Sequence, residues 1–227
     1  GINKFSLVGD SAFAMKAKKV DLEKLLTLDK GRLNVGVTVR QWRFPGKADP
    51  DRLYNNYIQS IARTIEYLVK NYDANVYLVP QVTGPTLIED DRISNNDVWN
   101  NLDMNTRNSV KVLKNDYSSQ ELKEIYSQFS LFIGTRMHSN IFALSSNVPT
   151  VAIAYEPKTT GIMEMLELSQ YVIDIDQITP EYLIKKVEES LLNREDYKDH
   201  LKNKIPWIKN EAEKPAQIIK ELIGNKQ

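Results

Sequence analysis

Short apolar runs rich in β-branched residues alternate along the chain with segments whose apolar residues recur at helical spacing. The runs predict six buried strands, and the spaced segments predict five helices between them. The predicted strands cover residues 33–40, 75–80, 110–113, 131–133, 150–154 and 171–175. The predicted helices cover residues 49–72, a polar stretch that holds Ser94 and Trp99, and residues 118–128, 138–146 and 161–168. This alternation favours an α/β fold, a Rossmann-like parallel sheet with helices on both faces.

Two helix starts are signalled by local sequence. Asp49 precedes Pro50, and proline is favoured in the first helical turn. Ser118 is followed three positions later by Glu121, the spacing of a capping box. We therefore expect helices to begin at these two points.

The pattern changes to a Lys/Glu-rich helix from Thr179 onward. We expect a helical tail over residues 179–227, interrupted at Pro206 and Pro215. Trp207 lies between those breaks and is expected to pack on the domain. The charges of the tail favour a solvated helix face over a binding surface.

The chain starts with Gly1, and residues 2–10 (INKFSLVGD) have the character of a strand already in progress. A cleaved tag or processed start would explain this beginning, and so would a chain that is part of a longer protein.

Composition narrows the function classes. Lys plus Arg and Asp plus Glu both number 30, so no net charge points to nucleic acid or an anionic membrane. The chain has no cysteine and two histidines, which excludes disulfides and thiolate metal sites, and no metal is expected. No apolar run approaches the roughly 20 residues that span a bilayer. The expected compartment is the cytoplasm.

Polar side chains follow four of the predicted strands. Because ligands of open parallel sheets bind beyond the carboxyl ends of the strands, we expect these side chains to form one site. They are Arg40 after the first strand, Gln81 after the second, Thr135, Arg136, His138 and Ser139 after the fourth, and Glu156 and Lys158 after the fifth. Gly134 is expected to let the chain turn sharply there. Helix amides and two guanidiniums favour an anionic ligand, so Arg40 and Arg136 could hold a doubly anionic one and Lys158 a phosphate.

His138 is placed where it could act as a general acid or base beside a bound anion. The alternative is a histidine that only caps or packs at the start of a helix. The adjacent Arg136 favours the catalytic interpretation. His200 lies in the charged tail and is expected at the surface. No dinucleotide fingerprint, Walker loop, nucleophile elbow or zinc-protease motif is present in the sequence.

The stretch IGTRMHSNIFALSSNVPTVAIAYEPKTTGIMEML, from Ile133 to Leu166, resembles the polysaccharide pyruvyl transferase family. The resemblance extends back through VGDSAFAM, the strand ending in Arg40 and VYLVPQ, and covers about residues 8–175. It implies a carboxyl-terminal, donor-binding domain of a GT-B-like fold. Residues 1–30 would then be a lead-in from a missing amino-terminal domain, residues 31–178 the Rossmann-like domain, and residues 179–227 the tail.

The resemblance also implies an activity. Family members transfer pyruvate from phosphoenolpyruvate, a co-substrate, onto two hydroxyls of a sugar as a ketal while cell-surface polysaccharides are assembled. Arg136 and His138 match the family's Arg-X-His, implied to contact phosphoenolpyruvate and to perform acid/base catalysis. Arg40 matches a donor-facing arginine, and Glu156 and Lys158 match the Glu-Pro-Lys step. A sugar or lipid-linked saccharide would be the acceptor, with peripheral membrane contact through that acceptor. The chain alone is expected to need the missing domain for turnover.

Two other functions remain open. A nucleotide-sugar glycosyltransferase of similar fold would use Glu156 on a ribose and the arginines on a diphosphate. A non-catalytic binding domain would use the Arg-His pair only to order a loop.

Overall fold

A six-stranded parallel sheet forms the centre of the protein, with strand order β3-β2-β1-β4-β5-β6. The computed structural model describes residues 8–26, 28–29 and 31–224. The strands are β1 Asn34–Thr38, β2 Asn75–Leu78, β3 Val110–Val112, β4 Leu131–Gly134, β5 Thr150–Ala154 and β6 Val172–Asp174. All residues of β1, β4 and β5 are buried, which explains their continuous apolar character. The predicted α/β fold with a parallel sheet is confirmed.

Helices cover both faces of this sheet. They are α1 Leu22–Leu25, α2 Pro50–Tyr72, α3 Asp91–Asn100, α4 Ser119–Tyr126, α5 Met137–Leu144, α6 Pro157–Met165, α7 Pro180–Leu192 and α8 Arg194–Gly224. Short 3-10 turns lie at Ser11–Ala14, Thr106–Ser109, Ser169–Tyr171 and Ile175–Gln177. Apolar residues of α2, α3 and α7 form the core on one face, and those of α4, α5, α6 and α8 form the core on the other.

The predicted helix starts are observed as specific caps. The Asp49 side chain accepts a hydrogen bond from Arg52 N at the start of α2. Ser118 and Glu121 form the capping box of α4, with both reciprocal bonds present. Helix α6 begins at Pro157, four residues before the predicted start at residue 161, because proline occupies its first turn. Gly161 therefore lies inside α6 and does not begin it.

The predicted interruption of the tail is wrong. Helix α8 runs continuously through Pro206 and Pro215. Each proline removes one backbone donor, but Tyr197, Leu201 and other α8 residues are buried in the core and offset that loss. Trp207 is 47% exposed, with the Lys204 ammonium over its ring, so its predicted anchoring role is also wrong.

The described part of the lead-in packs in the same core as the sheet and the tail. Asp10 caps the turn Ser11–Ala14, and Phe13 in that turn is fully buried. A Cβ at Gly9 would lie 2.9 Å from the Ile208 carbonyl oxygen, so the segment passes close against α8. The strand predicted within residues 2–10 falls largely on residues 2–7, outside the described part. The boundaries at residues 30 and 178 stay predictions.

Across the described ranges, every helix is too short or too polar to cross a bilayer.

Candidate active site

The carboxyl-terminal edge of the sheet carries all the predicted site residues, on the loops after β1, β2, β4 and β5. Arg40 lies two residues after β1, and Gln81 lies three residues after β2. The segment from Thr135 to Ser139 leads from β4 into α5, and Glu156 precedes α6. The topology therefore places these side chains at one edge, as predicted, but each of them has different contacts there.

Arg136 is held by a buried carboxylate. Its Nη2 lies 2.7 Å from Asp91 Oδ1, and its Nε lies 3.2 and 3.3 Å from the two Asp91 oxygens. Nη2 also donates to the Glu89 carbonyl oxygen at 3.3 Å. The Asp91 side chain is fully buried, and the Arg136 side chain is 13% exposed. Within the described part of the chain, Nη1 of Arg136 makes no hydrogen bond, so this nitrogen of the guanidinium can donate to a ligand.

Asp91 is itself fixed from two further directions. Its Oδ2 accepts hydrogen bonds from the backbone amides of Gln81 and Val82, at 3.1 and 3.0 Å. Burial raises the pKa of Asp91, and the bonds from Arg136 and from those two amides act in the opposite direction. This carboxylate thus ties the loop after β2 to the loop after β4.

From the sequence alone, Asp90 and Asp91 are interpreted as a carboxylate pair without partners in a loop, and no role is predicted for Asp91. That interpretation is wrong. Asp90 caps α3 through Arg92 N and pairs with the Arg92 side chain, while Asp91 is the first residue of α3. Two acidic residues directly before a polar helix are a usual helix-start signal, and this signal could have placed them correctly.

Thr135 and Ser139 are completely buried and bonded to protein partners. The Thr135 hydroxyl lies 2.8 Å from the Tyr57 hydroxyl, which also accepts from Arg40 N at 3.3 Å. The Ser139 hydroxyl lies 2.8 Å from Thr38 Oγ1 and 2.7 Å from the Arg136 carbonyl oxygen. The structure does not support direct substrate contact by either hydroxyl. Both position the turn that carries Arg136.

Gly134 is required for a reason other than the predicted sharp turn. It is the last residue of β4, and its φ is not in the left-handed region. A Cβ there would collide with Oδ1 of Asn140 on α5. Glycine therefore allows α5 to begin close against the strand that precedes it.

His138 is exposed in the first turn of α5. It lines a cavity of about 390 Å³ with Asp10, Ser11, Gln81, Ser119 and other residues. The Gln81 side-chain carbonyl in this cavity accepts a hydrogen bond from Tyr126 at 2.9 Å, which fixes the amide. Arg136 is the N-cap of α5, and its side chain makes no capping bond to the first helical amides. His138 and Gln81 therefore share one polar cavity at a helix start.

Arg40 lies on an aromatic platform. Its Cζ is 4.2 Å from the ring centroid of Tyr155 and 5.1 Å from that of Trp42. Its Nε is buried and has no hydrogen-bond partner in the ranges that the structure describes. Among the described residues it forms no ion pair, so its charge is available to an anion.

Glu156 and Lys158 are both exposed, and Glu156 lines a second cavity. That cavity, of about 540 Å³, also includes Trp42 and Tyr155 and shares no lining residue with the His138 cavity. Of the predicted set, Gln81 and His138 therefore line one cavity and Glu156 another, while Arg40 and Arg136 line neither of the two. In the portions that the structure describes, no three acidic or histidine side chains come close enough to hold a metal ion.

Comparison with solved structures identifies the architecture. ADP-heptose LPS heptosyltransferase II of E. coli superposes with a TM-score of 0.55 at 14% identity, over 79% of this chain and 54% of that one. A Listeria monocytogenes protein assigned as a UDP-N-acetylglucosamine 2-epimerase superposes with a TM-score of 0.64 at 12% identity, over 96% of this chain and 53% of that one. These likenesses show a fold that resembles the GT-B glycosyltransferases.

Comparison of sequences identifies the family. A stretch of 90 residues is 32% identical to the amylovoran biosynthesis protein AmsJ of Erwinia amylovora, covering 40% of this chain and 22% of that protein. The chain therefore spans about a fifth of this curated relative and about half of the two solved structures. The family model described as polysaccharide pyruvyl transferase matches residues 1–157, and this chain belongs to that family.

Proposed function

We propose that this chain is the donor-binding part of an enzyme that transfers pyruvate from phosphoenolpyruvate to two hydroxyls of a sugar. Family membership supports the transferase class, and the name of the matched Erwinia amylovora protein refers to the biosynthesis of amylovoran. The acceptor is proposed to be a sugar or lipid-linked saccharide of a cell-surface polysaccharide, handled in the cytoplasm at the membrane surface.

The observation that carries the proposal is the arrangement of Arg136 and His138. Asp91 fixes two nitrogens of the guanidinium and leaves Nη1 without a partner among the described residues, and His138 is exposed two residues further along the chain. A guanidinium oriented in this way suits a carboxylate or a phosphate, and Arg40, which has no ion-pair partner in the part of the chain that the structure describes, supplies a second cation at the same edge. Phosphoenolpyruvate carries both anionic groups. Lys158, exposed on α6, is a further candidate for its phosphate.

The proposed reaction consumes phosphoenolpyruvate and two sugar hydroxyls and forms a pyruvate ketal and inorganic phosphate. One sugar hydroxyl adds to C2 of phosphoenolpyruvate while the methylene carbon takes up a proton. The bond from C2 to the phosphate oxygen then breaks, and a second hydroxyl adds to C2 and closes the ketal. The protons of the two hydroxyls end on the new methyl group and on phosphate. His138 is proposed to transfer one of these protons, at the attacking hydroxyl or at the methylene carbon.

The test is a comparison of turnover and donor affinity in the whole protein. In His138→Ala and His138→Gln we expect turnover to fall roughly 10²–10⁴-fold, because a positioned acid or base acts in the transition state. We expect the affinity for phosphoenolpyruvate, measured by calorimetry, to change little. Normal turnover in a folded His138→Ala variant would refute the catalytic role.

His200→Ala is the histidine control, although His200 is not the simple surface residue that the sequence suggests. Its Nε2 lies 2.7 Å from the Leu166 carbonyl oxygen, and the residue is half-buried. We expect His200→Ala to lower thermal stability and to leave turnover unchanged.

Calorimetry with a UDP-sugar tests the glycosyltransferase alternative, since binding of the UDP-sugar without binding of phosphoenolpyruvate would favour it.

A further inference from the structure

The cavity that contains Glu156 differs in chemistry from the edge that carries Arg136. Its walls come from the loop after β1, the start of α6 and the segment after β6. The ionisable residues lining it are Lys47, Glu156, Glu164, Asp174 and Asp176. Lys47 is already paired with Asp176, with 2.6 Å between Nζ and Oδ2. Glu156, Glu164 and Asp174 lie outside this pair and make the lining net negative, while the Arg40 cation lies against the rings of Trp42 and Tyr155 without lining the cavity itself. The lining therefore favours an uncharged ligand over phosphoenolpyruvate or a nucleotide diphosphate.

One wall of the cavity is aromatic. The rings of Trp42 and Tyr155 lie 4.8 Å apart between centroids, tilted by 46°, and both line the cavity. Buried Phe44 continues this wall. Aromatic rings present an apolar surface for the C–H face of a ring-shaped ligand, while the carboxylates opposite accept hydrogen bonds from its hydroxyls.

The loop that carries the aromatic wall is held in an unusual conformation. Phe44 has φ 46°, a left-handed value that is uncommon for a residue with a side chain. Its carbonyl oxygen accepts from Lys47 N at 3.2 Å, and the Lys47 side chain reaches Asp176 on the opposite wall. Strained backbone that is held in this way is common where a protein shapes a ligand site.

The floor of the cavity lacks a side chain. Gly161 lies inside α6, where glycine weakens a helix relative to alanine. A Cβ at Gly161 would have no atom within 4 Å, so packing does not require glycine there. The cavity nonetheless includes this residue, and its missing side chain keeps space beside Glu164.

We infer that the cavity bounded by Trp42, Tyr155, Gly161 and Glu164 is a binding site for an uncharged saccharide. Sugar hydroxyls would donate to Glu156, Glu164 and Asp174, and the sugar ring would lie on the aromatic wall. Among described residues, the carboxylates of Glu156 and Glu164 form no hydrogen bond or ion pair, so both can accept from a ligand. The assignment of this cavity as the acceptor site of the transferase rests on the proposed function. Its assignment as a saccharide-binding site does not.

Saturation-transfer NMR with the methyl glycosides of glucose, galactose and mannose, added singly, provides the test. We expect transfer to at least one glycoside in the unmodified protein. Gly161→Leu, which fills the floor, should abolish this transfer while binding of phosphoenolpyruvate is retained. Glu164→Gln should weaken saccharide binding by about tenfold, because a charge-assisted acceptor is lost. Glu213→Gln, which changes another exposed helical glutamate, should have no effect.

No transfer to any of the three glycosides, or unchanged transfer in Gly161→Leu, would overturn the inference. Failure of phosphoenolpyruvate to bind, with saccharide contacts behaving as expected, would instead overturn the proposed function and leave the saccharide site in place.

Discussion

At the residue scale, the two arginines at the sheet edge differ in what they already contact. Arg136 is committed in part to Asp91, whereas the described structure gives Arg40 aromatic neighbours and no carboxylate. Both are proposed to bind the anionic donor, and Arg136 also belongs to a buried ion pair, so its substitution would change stability as well as binding. Substitution of Arg40 is therefore the cleaner test of donor binding.

Arg40→Ala is expected to weaken phosphoenolpyruvate binding by about 2 kcal/mol, roughly thirtyfold, through loss of a charge-assisted contact. Arg40→Lys should recover only part of this affinity, because lysine keeps the positive charge and lacks the planar set of paired N–H donors of the guanidinium. Calorimetry measures both, and Arg43→Ala, an exposed arginine on the same loop, is the matched control. Equal affinity in Arg40→Ala and Arg43→Ala would exclude Arg40 from the donor site.

Asp91→Asn is expected to lower the free energy of unfolding by about 3 kcal/mol or more, because it breaks a buried ion pair and leaves one charge uncompensated. Asp90→Asn, at the neighbouring partly exposed pair, should cost less than about 1 kcal/mol, because asparagine still caps the helix and a partly exposed ion pair contributes little. Urea denaturation at neutral pH compares the two variants. Similar losses in both would mean that the Arg136–Asp91 pair contributes no more than a surface pair.

At the element scale, glycines on helices and strands serve different purposes. Gly36 lies in β1, where a Cβ would collide with the ring of Phe129, so close packing requires glycine. Gly161 in α6 has no such neighbour. The same residue type is thus required by packing in β1, while in α6 it lines the cavity that we propose as a saccharide site.

Gly161→Ala is expected to raise the free energy of unfolding by about 0.5–1 kcal/mol, the ordinary gain in a helix interior. Gly36→Ala should lower it, because the strand, Phe129 or Phe132 must shift to admit the methyl group. Thermal unfolding of both variants is the measurement. A destabilised Gly161→Ala would show that glycine there has a packing role after all.

At the scale of the whole molecule, one core joins the described lead-in, the sheet and the tail. Phe13, Phe142 and Ile208 belong to the same buried cluster. Lys123 on α4 adds a polar link, since its Nζ donates to the Met15 carbonyl oxygen at 2.7 Å and its side chain is buried. The lead-in is thus fastened to α4 as well as to α8.

Lys123 makes stability depend on pH. Burial, with Lys209 nearby, lowers the pKa of Lys123 from 10.5 to about 8. Between these values the folded protein has released a proton that the unfolded chain still binds, so the free energy of unfolding rises with pH across that window. We therefore expect the free energy of unfolding of the unmodified protein to increase relative to that of Lys123→Met from about pH 8 to about pH 10.

Denaturation at several pH values measures this difference. Lys202→Met is the control, because Asp199 raises the pKa of Lys202 and moves its titration above the window. Measurements stop near pH 10 because burial raises the pKa of Tyr57 and Tyr197, and these tyrosines reduce stability at higher pH. A difference that does not change with pH would show that Lys123 is protonated throughout.

The sequence by itself determined the fold class, the order of strands and helices, two helix caps and the edge of the sheet where polar groups meet. These features follow from local periodicity and turn chemistry, which act over a few residues and are visible along the chain. The family resemblance added the expected roles of Arg40, Arg136 and His138.

Only the tertiary structure decided what each polar side chain contacts. The partner of Arg136 is 45 residues away at Asp91, and the partner of Ser139 is 101 residues away at Thr38. No local pattern encodes such pairings, because they depend on which loops the sheet brings side by side. The continuity of α8 was hidden for the same reason: local propensity predicts a break at proline, whereas burial of apolar residues on the core outweighs the lost hydrogen bonds.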